Sequence, residues 1–194
     1  MNPGKRFEAK FRKSLSLMPG WSMRIFDGGR SVTERMPADF WYFPKSGGAD
    51  LIECKATRGK SIRHDRVTQL GSLLEFDALS DGTSAFVAVN FYGEDVRRDN
   101  RCIIVPAPLF ALHAETSGRA SLPLSDAVEI GWEAPRISGN LWDLSEFERA
   151  DLSPAGTEPE YALGKDENTA PEGATEACRG NQYQPKTTEY RKED

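Results

Sequence analysis

Asp39, Glu53 and Lys55 are the residues whose types and spacing point to chemistry. The run Asp50-Leu-Ile-Glu-Cys-Lys-Ala56 predicts a strand, and strand side chains alternate. Glu53 and Lys55 therefore share one face with Leu51, while Ile52 and Cys54 take the other. A charge buried in such an apolar run costs on the order of several kcal/mol unless a partner or a metal compensates it. Asp39 begins the preceding predicted strand, 14 residues before Glu53, and a hairpin through Lys45-Ser-Gly-Gly48 brings it across from Glu53. Two hard carboxylates at one sheet edge suit Mg²⁺ or Mn²⁺, which take oxygen ligands and keep waters.

Phosphodiester hydrolysis asks for a hydroxide at neutral pH and for charge stabilisation at the phosphate, both of which a metal held by Asp39 and Glu53 supplies. Lys55 beside the attacking water orients it or offsets developing negative charge. Glu8, at the edge of the apolar stripe of the first helix, is a candidate third metal ligand, direct or through water. Gln69, on the helix after the strands, is a candidate for positioning water or Lys55. The competing structural reading is a strand-capping Asp39 with a surface Glu53–Lys55 pair, since Asp followed by Glu-x-Lys is a weak signal alone.

The elements that must position these residues follow from periodicity. Phe7, Phe11, Leu15 and Met18 form one helical stripe in the segment Gly4 to Met18, and Pro19-Gly20 ends it. Trp21–Phe26 and Ala38–Phe43 predict strands on either side of the loop Asp27 to Met36. Helical spacing returns between Ile62 and Leu79, at Val67, Leu70, Leu73, Leu74 and Leu79. Strands are expected at Ser84–Phe91 and Cys102–Val105, a short helix at Ala107–Ala114, a last strand at Ala127–Trp132 and a closing helix at Leu141–Arg149. The expected class is α/β. It occupies residues 1–151, with a disordered acidic tail at 152–194 where apolar periodicity gives way to Pro, Gly, Thr and Glu.

The net charge of −5 averages over an uneven distribution. Residues 1–66 carry 14 Lys and Arg against 7 Asp and Glu, whereas 152–194 carry 5 against 9. Basic density thus coincides with the candidate site, as a phosphate-binding surface requires. Arg58, Lys60, Arg63 and Arg66 follow the Glu53 strand and are candidate phosphate contacts; Arg24, Arg30 and Arg35 flank or lie in the Asp27–Met36 loop and are similar candidates. Trp41 and Tyr42 fall on opposite strand faces, so at most one faces DNA.

Other chemistries find little support. Cys54, Cys102 and Cys178 form no CxxC pair and cannot all pair within one chain, which favours a reducing compartment and buried, inert thiols for the first two. His64 and His113 have no ligand-spaced neighbour, so no zinc site is expected, and His64 reads as a surface histidine. GxGxxG and Walker patterns are absent, which argues against a nucleotide cofactor. Apolar runs such as Ala85–Val89 are strand-sized, so no membrane span is expected, and the N-terminus lacks an apolar signal core; the expected location is cytoplasmic.

These motifs resemble those of RecU-type Holliday-junction resolvases of the PD-(D/E)xK nuclease superfamily. Gly4-Lys-Arg-Phe-Glu8 resembles that family's opening helix and Pro37-Ala-Asp-Phe40 its first acidic motif. Leu51-Ile-Glu-Cys-Lys-Ala-Thr-Arg-Gly-Lys-Ser61 is similar to its second motif and basic loop, and Gln69 falls where the next helix usually carries a glutamine. The resemblance covers the first half of the chain, extends loosely to about residue 150 and stops before the tail. It implies an α/β fold with a restriction-endonuclease-like mixed β-sheet flanked by helices, a homodimer that nicks four-way DNA junctions with Mg²⁺, metal at Asp39 and Glu53, Lys55 assisting the attacking water, and a junction-entering stalk sought at Asp27–Met36. Two alternatives stay open: a duplex- or single-strand-specific nuclease on the same fold, and a non-catalytic DNA-binding recombination factor that keeps the fold as a scaffold.

Overall fold

The computed structural model describes residues 2–25, 37–93 and 100–149. The expected stalk loop, with Arg30 and Arg35, and the expected acidic tail with Cys178 lie outside these residues.

Helix α1 (Pro3–Leu15) starts where the Asn2 side chain accepts from the Gly4 N–H at 2.9 Å and Pro3 occupies the first turn. Its stripe of Phe7, Phe11 and Leu15 is buried. A six-stranded sheet follows in the order β1 (Gly20–Arg24), β2 (Phe40–Pro44), β3 (Ala49–Arg58), β5 (Thr83–Tyr92), β6 (Arg101–Pro106) and β8 (Trp132–Ala134). Only the β3–β5 pair is parallel. Its crossover contains the short strand β4 (Ser61–Arg63), a 3-10 turn at His64–Arg66 and helix α2 (Leu70–Asp77). A parallel return needs such a connection, because both strands must run the same way.

Strand alternation sorts the core into two layers. Leu51, Val87, Val89, Ile103 and Val105 face α2 and helix α3 (Ala107–Thr116), meeting Leu73, Phe76 and Phe110. Ile52, Cys54, Phe86, Ala88 and Ile104 face α1, where Phe7, Phe11, Trp142 and Phe147 close over them. This is a central mixed sheet flanked by helices, as expected. Cys54 and Cys102 are free, buried thiols within the second layer. Trp41 and Tyr42 do take opposite faces, but both pack inward: Trp41 edges onto Phe76 at 5.1 Å, and Tyr42 is fully buried.

Three expected elements are corrected. The apolar positions from Ile62 onward do not make one helix: Ile62 pairs with Leu122 of β7 (Ser121–Pro123), and the helix proper starts at Leu70. Ala127–Trp132 is not a strand. Residues Leu124–Ile130 form helix α4 after Pro123, with Asp126 in its first turn and Ala127 turned into the core; the strand begins only at Trp132. The closing helix is shorter, Ser145–Arg149 (α5), because Leu141–Trp142 (β10) pairs with Arg136–Ile137 (β9). A short apolar run carries helix and strand signals alike, so flanking partners decide.

One long-range bond ties the end of the sheet layer to its beginning. The buried Ser14 hydroxyl of α1 accepts from the Trp142 N–H at 2.8 Å. Ser14→Ala leaves that donor buried and unpaired, so we expect a loss of about 1–3 kcal/mol in urea unfolding. An unchanged unfolding midpoint would show that water replaces the serine.

Candidate active site

The register of β2 on β3, Phe40 opposite Ile52, sets Asp39 at the mouth of the hairpin beside Glu53. Asp39 is pinned through its backbone: its N–H donates to Ile52 at 3.1 Å, and its carbonyl accepts from Ile25 at 2.9 Å. Its side chain turns along β3, where Oδ2 accepts from the Cys54 N–H at 2.8 Å. Glu53 sits mid-strand with 1% exposure. Its Oε1 accepts from Lys55 Nζ, two residues along on the same face, while Oε2 is buried with no hydrogen-bond partner. Gln69 precedes α2 without capping it, so its side chain is available elsewhere: Oε1 stands 3.5 Å from Lys55 Nζ and accepts from the Thr68 hydroxyl at 2.8 Å.

Both carboxylates bind protons more tightly than usual. Burial chiefly raises Asp39, against the opposing pull of the Cys54 N–H, Lys55 and Arg24. Glu53 is pushed up to about 7, first by burial and then by the charge of Asp39, which Lys55 only partly offsets. With both carboxylates ionised, the pocket would hold more negative charge than its one ammonium balances, and Oε2 of Glu53 has no hydrogen-bond partner. That is the condition a divalent cation relieves.

The remaining candidates are distributed around this centre. Glu8 belongs to α1, on the opposite face of the sheet, and its Oε2 accepts from Arg24 of β1 at 2.7 Å. It adds the smallest of the effects raising Glu53. Among the described residues no three His, Cys, Asp or Glu side chains converge as a metal cluster. Arg58, Lys60 and Arg66 are exposed around the β3–β4 turn and the 3-10 turn. Arg63 is already paired with Asp65 at 2.5 Å.

No family model and no curated protein matches the chain. Among solved structures, Hjc, a Holliday junction resolvase from the archaeal hyperthermophile Archaeoglobus fulgidus, is similar at 18% identity and a TM-score of 0.48. The match covers 67% of this chain and 95% of that one. It is a likeness of fold.

Two groupings escaped sequence reasoning. Thr68, which fixes Gln69, had only its adjacency as a signal. His64 has a partner after all: its Nε2 lies 3.1 Å from Nδ1 of His113, 49 positions away. No local spacing announces such a pair.

A second buried carboxylate serves as an internal contrast. Asp50, near the start of β3, is pushed up to about 7 by burial and then by the charge of Asp77. Its folded state thus holds a proton that the unfolded chain releases above about pH 4. Stability falls as pH rises from there to about 7 and is then level. Asp50→Asn should raise Tm at pH 8 by at least about 2–4 °C, equivalent to roughly 1 kcal/mol, and leave Tm at pH 4 nearly unchanged. An equal gain at both pH values would refute the ionisation argument.

Proposed function

We propose that this protein is a metal-dependent DNA endonuclease that resolves four-way junctions. The observation carrying the reading is the unpartnered, buried Oε2 of Glu53 beside Asp39, on a strand face that also presents Lys55. Asp39 and Glu53 would hold Mg²⁺ or Mn²⁺, whose hard-oxygen preference fits two carboxylates and leaves positions for water and phosphate oxygen. The bound ion supplies an acidified water and polarisation of the phosphoryl group.

The chain's own residues divide the remaining work. Lys55, fixed by Glu53 Oε1 and near Gln69, orients the attacking water and stabilises charge gathering on the phosphate. Thr68 holds Gln69 in place to limit where Lys55 can go. Glu8, paired with Arg24, sets the outer edge of the site and would hold the metal only through an intervening water. Arg24, Arg58, Lys60 and Arg66 engage phosphates on either side of the scissile bond, and Arg63 joins them when DNA competes with Asp65. Arg30 and Arg35, outside the described residues, are further candidate phosphate contacts by their position in the sequence.

DNA as substrate, the preference for junctions and the homodimer rest on the motif resemblance from Gly4 to Gln69. The reading is tested by incubating the full chain with four-way, duplex and single-stranded DNA in Mg²⁺ or Mn²⁺. Paired nicking of the junction at lower enzyme concentration than either competitor is the expected result. Preferential cutting of duplex or single strands would leave a nuclease of another specificity, and junction binding without any cutting would leave the scaffold reading.

A further inference from the structure

Among the described residues five buried side-chain nitrogen or oxygen atoms lack a hydrogen-bond partner, and three of them belong to residues lining one cavity. They are Oδ1 of Asn90, Oδ1 of Asn100 and Nε1 of Trp142. The cavity, of about 80 Å³, is bounded by Arg6, Phe7 and Lys10 of α1, Asn90 of β5, Asn100 just before β6 and Trp142 of β10. Asn90 comes to this face of the sheet because it alternates with Phe86 and Ala88, which pack in the α1 layer. Asn90 and Asn100 are each 7% exposed and Trp142 is 1% exposed. None of these residues belongs to the carboxylate centre.

Buried polar atoms are paired almost everywhere in folded proteins, so three orphans around one cavity call for an occupant. Charge indicates which kind. No Asp or Glu lines the cavity, whereas Arg6 and Lys10 stand about one helical turn apart on its wall. The Lys10 ammonium is held below the usual lysine range, first by burial and then by the charges of Arg136 and Arg6. The Arg136 guanidinium itself lies 5.7 Å from the centre of the Trp142 ring. Water satisfies the orphaned dipoles but not this gathering of like charge, which an anion relieves. Trp142 Nε1 is a donor only, and with Oδ1 unbonded each asparagine amide can turn its NH2 inward. The volume suits one tetrahedral oxyanion and is far below the ~300 Å³ at which pockets for larger ligands begin.

We propose that this cavity binds a phosphate-type oxyanion, either free phosphate or a phosphate of a DNA backbone, with charge supplied by Arg6 and Lys10 and hydrogen-bond donors by Asn90, Asn100 and Trp142. The site is separate from the Asp39–Glu53 centre and does not depend on cleavage there.

The test titrates the metal-stripped full chain with inorganic phosphate by calorimetry at constant ionic strength, with chloride as the matched control. One equivalent bound is the expected result, accompanied by a shift of the Trp142 indole N–H signal in NMR. Lys10→Gln and Asn90→Leu should each weaken binding at least about tenfold, the size of one charge-assisted hydrogen bond. Asn90→Leu changes no charge, so its effect separates a built cavity from general attraction to a basic surface. Should Asn90→Leu fail to fold, the indole shift decides in its place. A second arm follows duplex DNA affinity against salt for the native chain and Lys10→Gln, both without metal. A salt slope lowered by about one in the variant identifies a backbone phosphate as the occupant, and an unchanged slope identifies free phosphate. No saturable phosphate binding, equal binding by Lys10→Gln or by folded Asn90→Leu, or an indole signal that phosphate leaves unmoved would overturn the proposal and leave a water-filled cavity.

Discussion

If the proposed function holds, Glu53→Gln should abolish DNA cleavage while leaving DNA binding largely intact. The substitution keeps the shape of the side chain and still offers Lys55 an acceptor oxygen, but it removes the charge that makes the two-carboxylate pocket attractive to a divalent cation. A metal-assisted step loses several kcal/mol of stabilisation when its ion is lost, so a fall of at least about a hundredfold in single-turnover rate is expected. A thermal readout separates this from unfolding. Because Glu53 is raised to about 7 by burial and Asp39, its ionisation burdens the folded state above that pH. In metal-free buffer at pH 8 the variant should therefore melt higher than the native protein, and at pH 4 the gain should vanish. Mg²⁺ should raise the native Tm and leave the variant's unmoved. A variant that still cuts at near-native rate would remove Glu53 from the chemistry.

Phe86→Ala should cost about 3–5 kcal/mol, the range for emptying a buried aromatic site. Phe86 lies on β5, between the parallel partner β3 and the antiparallel partner β6. Its ring stands 4.8 Å from Phe147 and 5.6 Å from Trp132, so it joins the sheet to the closing helix α5. Domains of this size have ~5–15 kcal/mol of stability in all, so the loss threatens folding near body temperature. Leu79→Ala, at a leucine 71% exposed, is the control and should shift the urea midpoint little. A loss below about 1 kcal/mol for Phe86→Ala would mean that the layer of α1 and α5 collapses onto the vacated space.

The correct and incorrect expectations separate by the range of the forces involved. The stripe of α1 and the alternation along β3 were legible because each is a local period: Phe7, Phe11 and Leu15 are buried together, and Leu51 and Ile52 enter different core layers. The hairpin between β2 and β3 was legible because its turn is short, which brought Asp39 into register with Glu53. Ala127–Trp132 was misread because a helix with one buried face and a short strand leave similar traces over six residues. What decides there is Pro123 before the helix Leu124–Ile130 and Gly131 after it, where an added Cβ would stand 2.4 Å from the Ile104 carbonyl oxygen. Ile62 was misread because its partner, Leu122, is sixty positions away.

By itself the sequence determined which residue types share a face, where basic density collects, and that a carboxylate and an ammonium lie in an apolar strand needing compensation. Only the tertiary structure decided how far that compensation goes: Lys55 reaches one oxygen of Glu53 and leaves the other buried and unpartnered, while Glu8 turns to Arg24. It alone brought His64 to His113 across 49 positions. The reason is physical. Periodicity sets the direction of a side chain through backbone geometry, but hydrogen-bond satisfaction and charge balance depend on every group that packing brings within a few ångströms, wherever it lies in the chain.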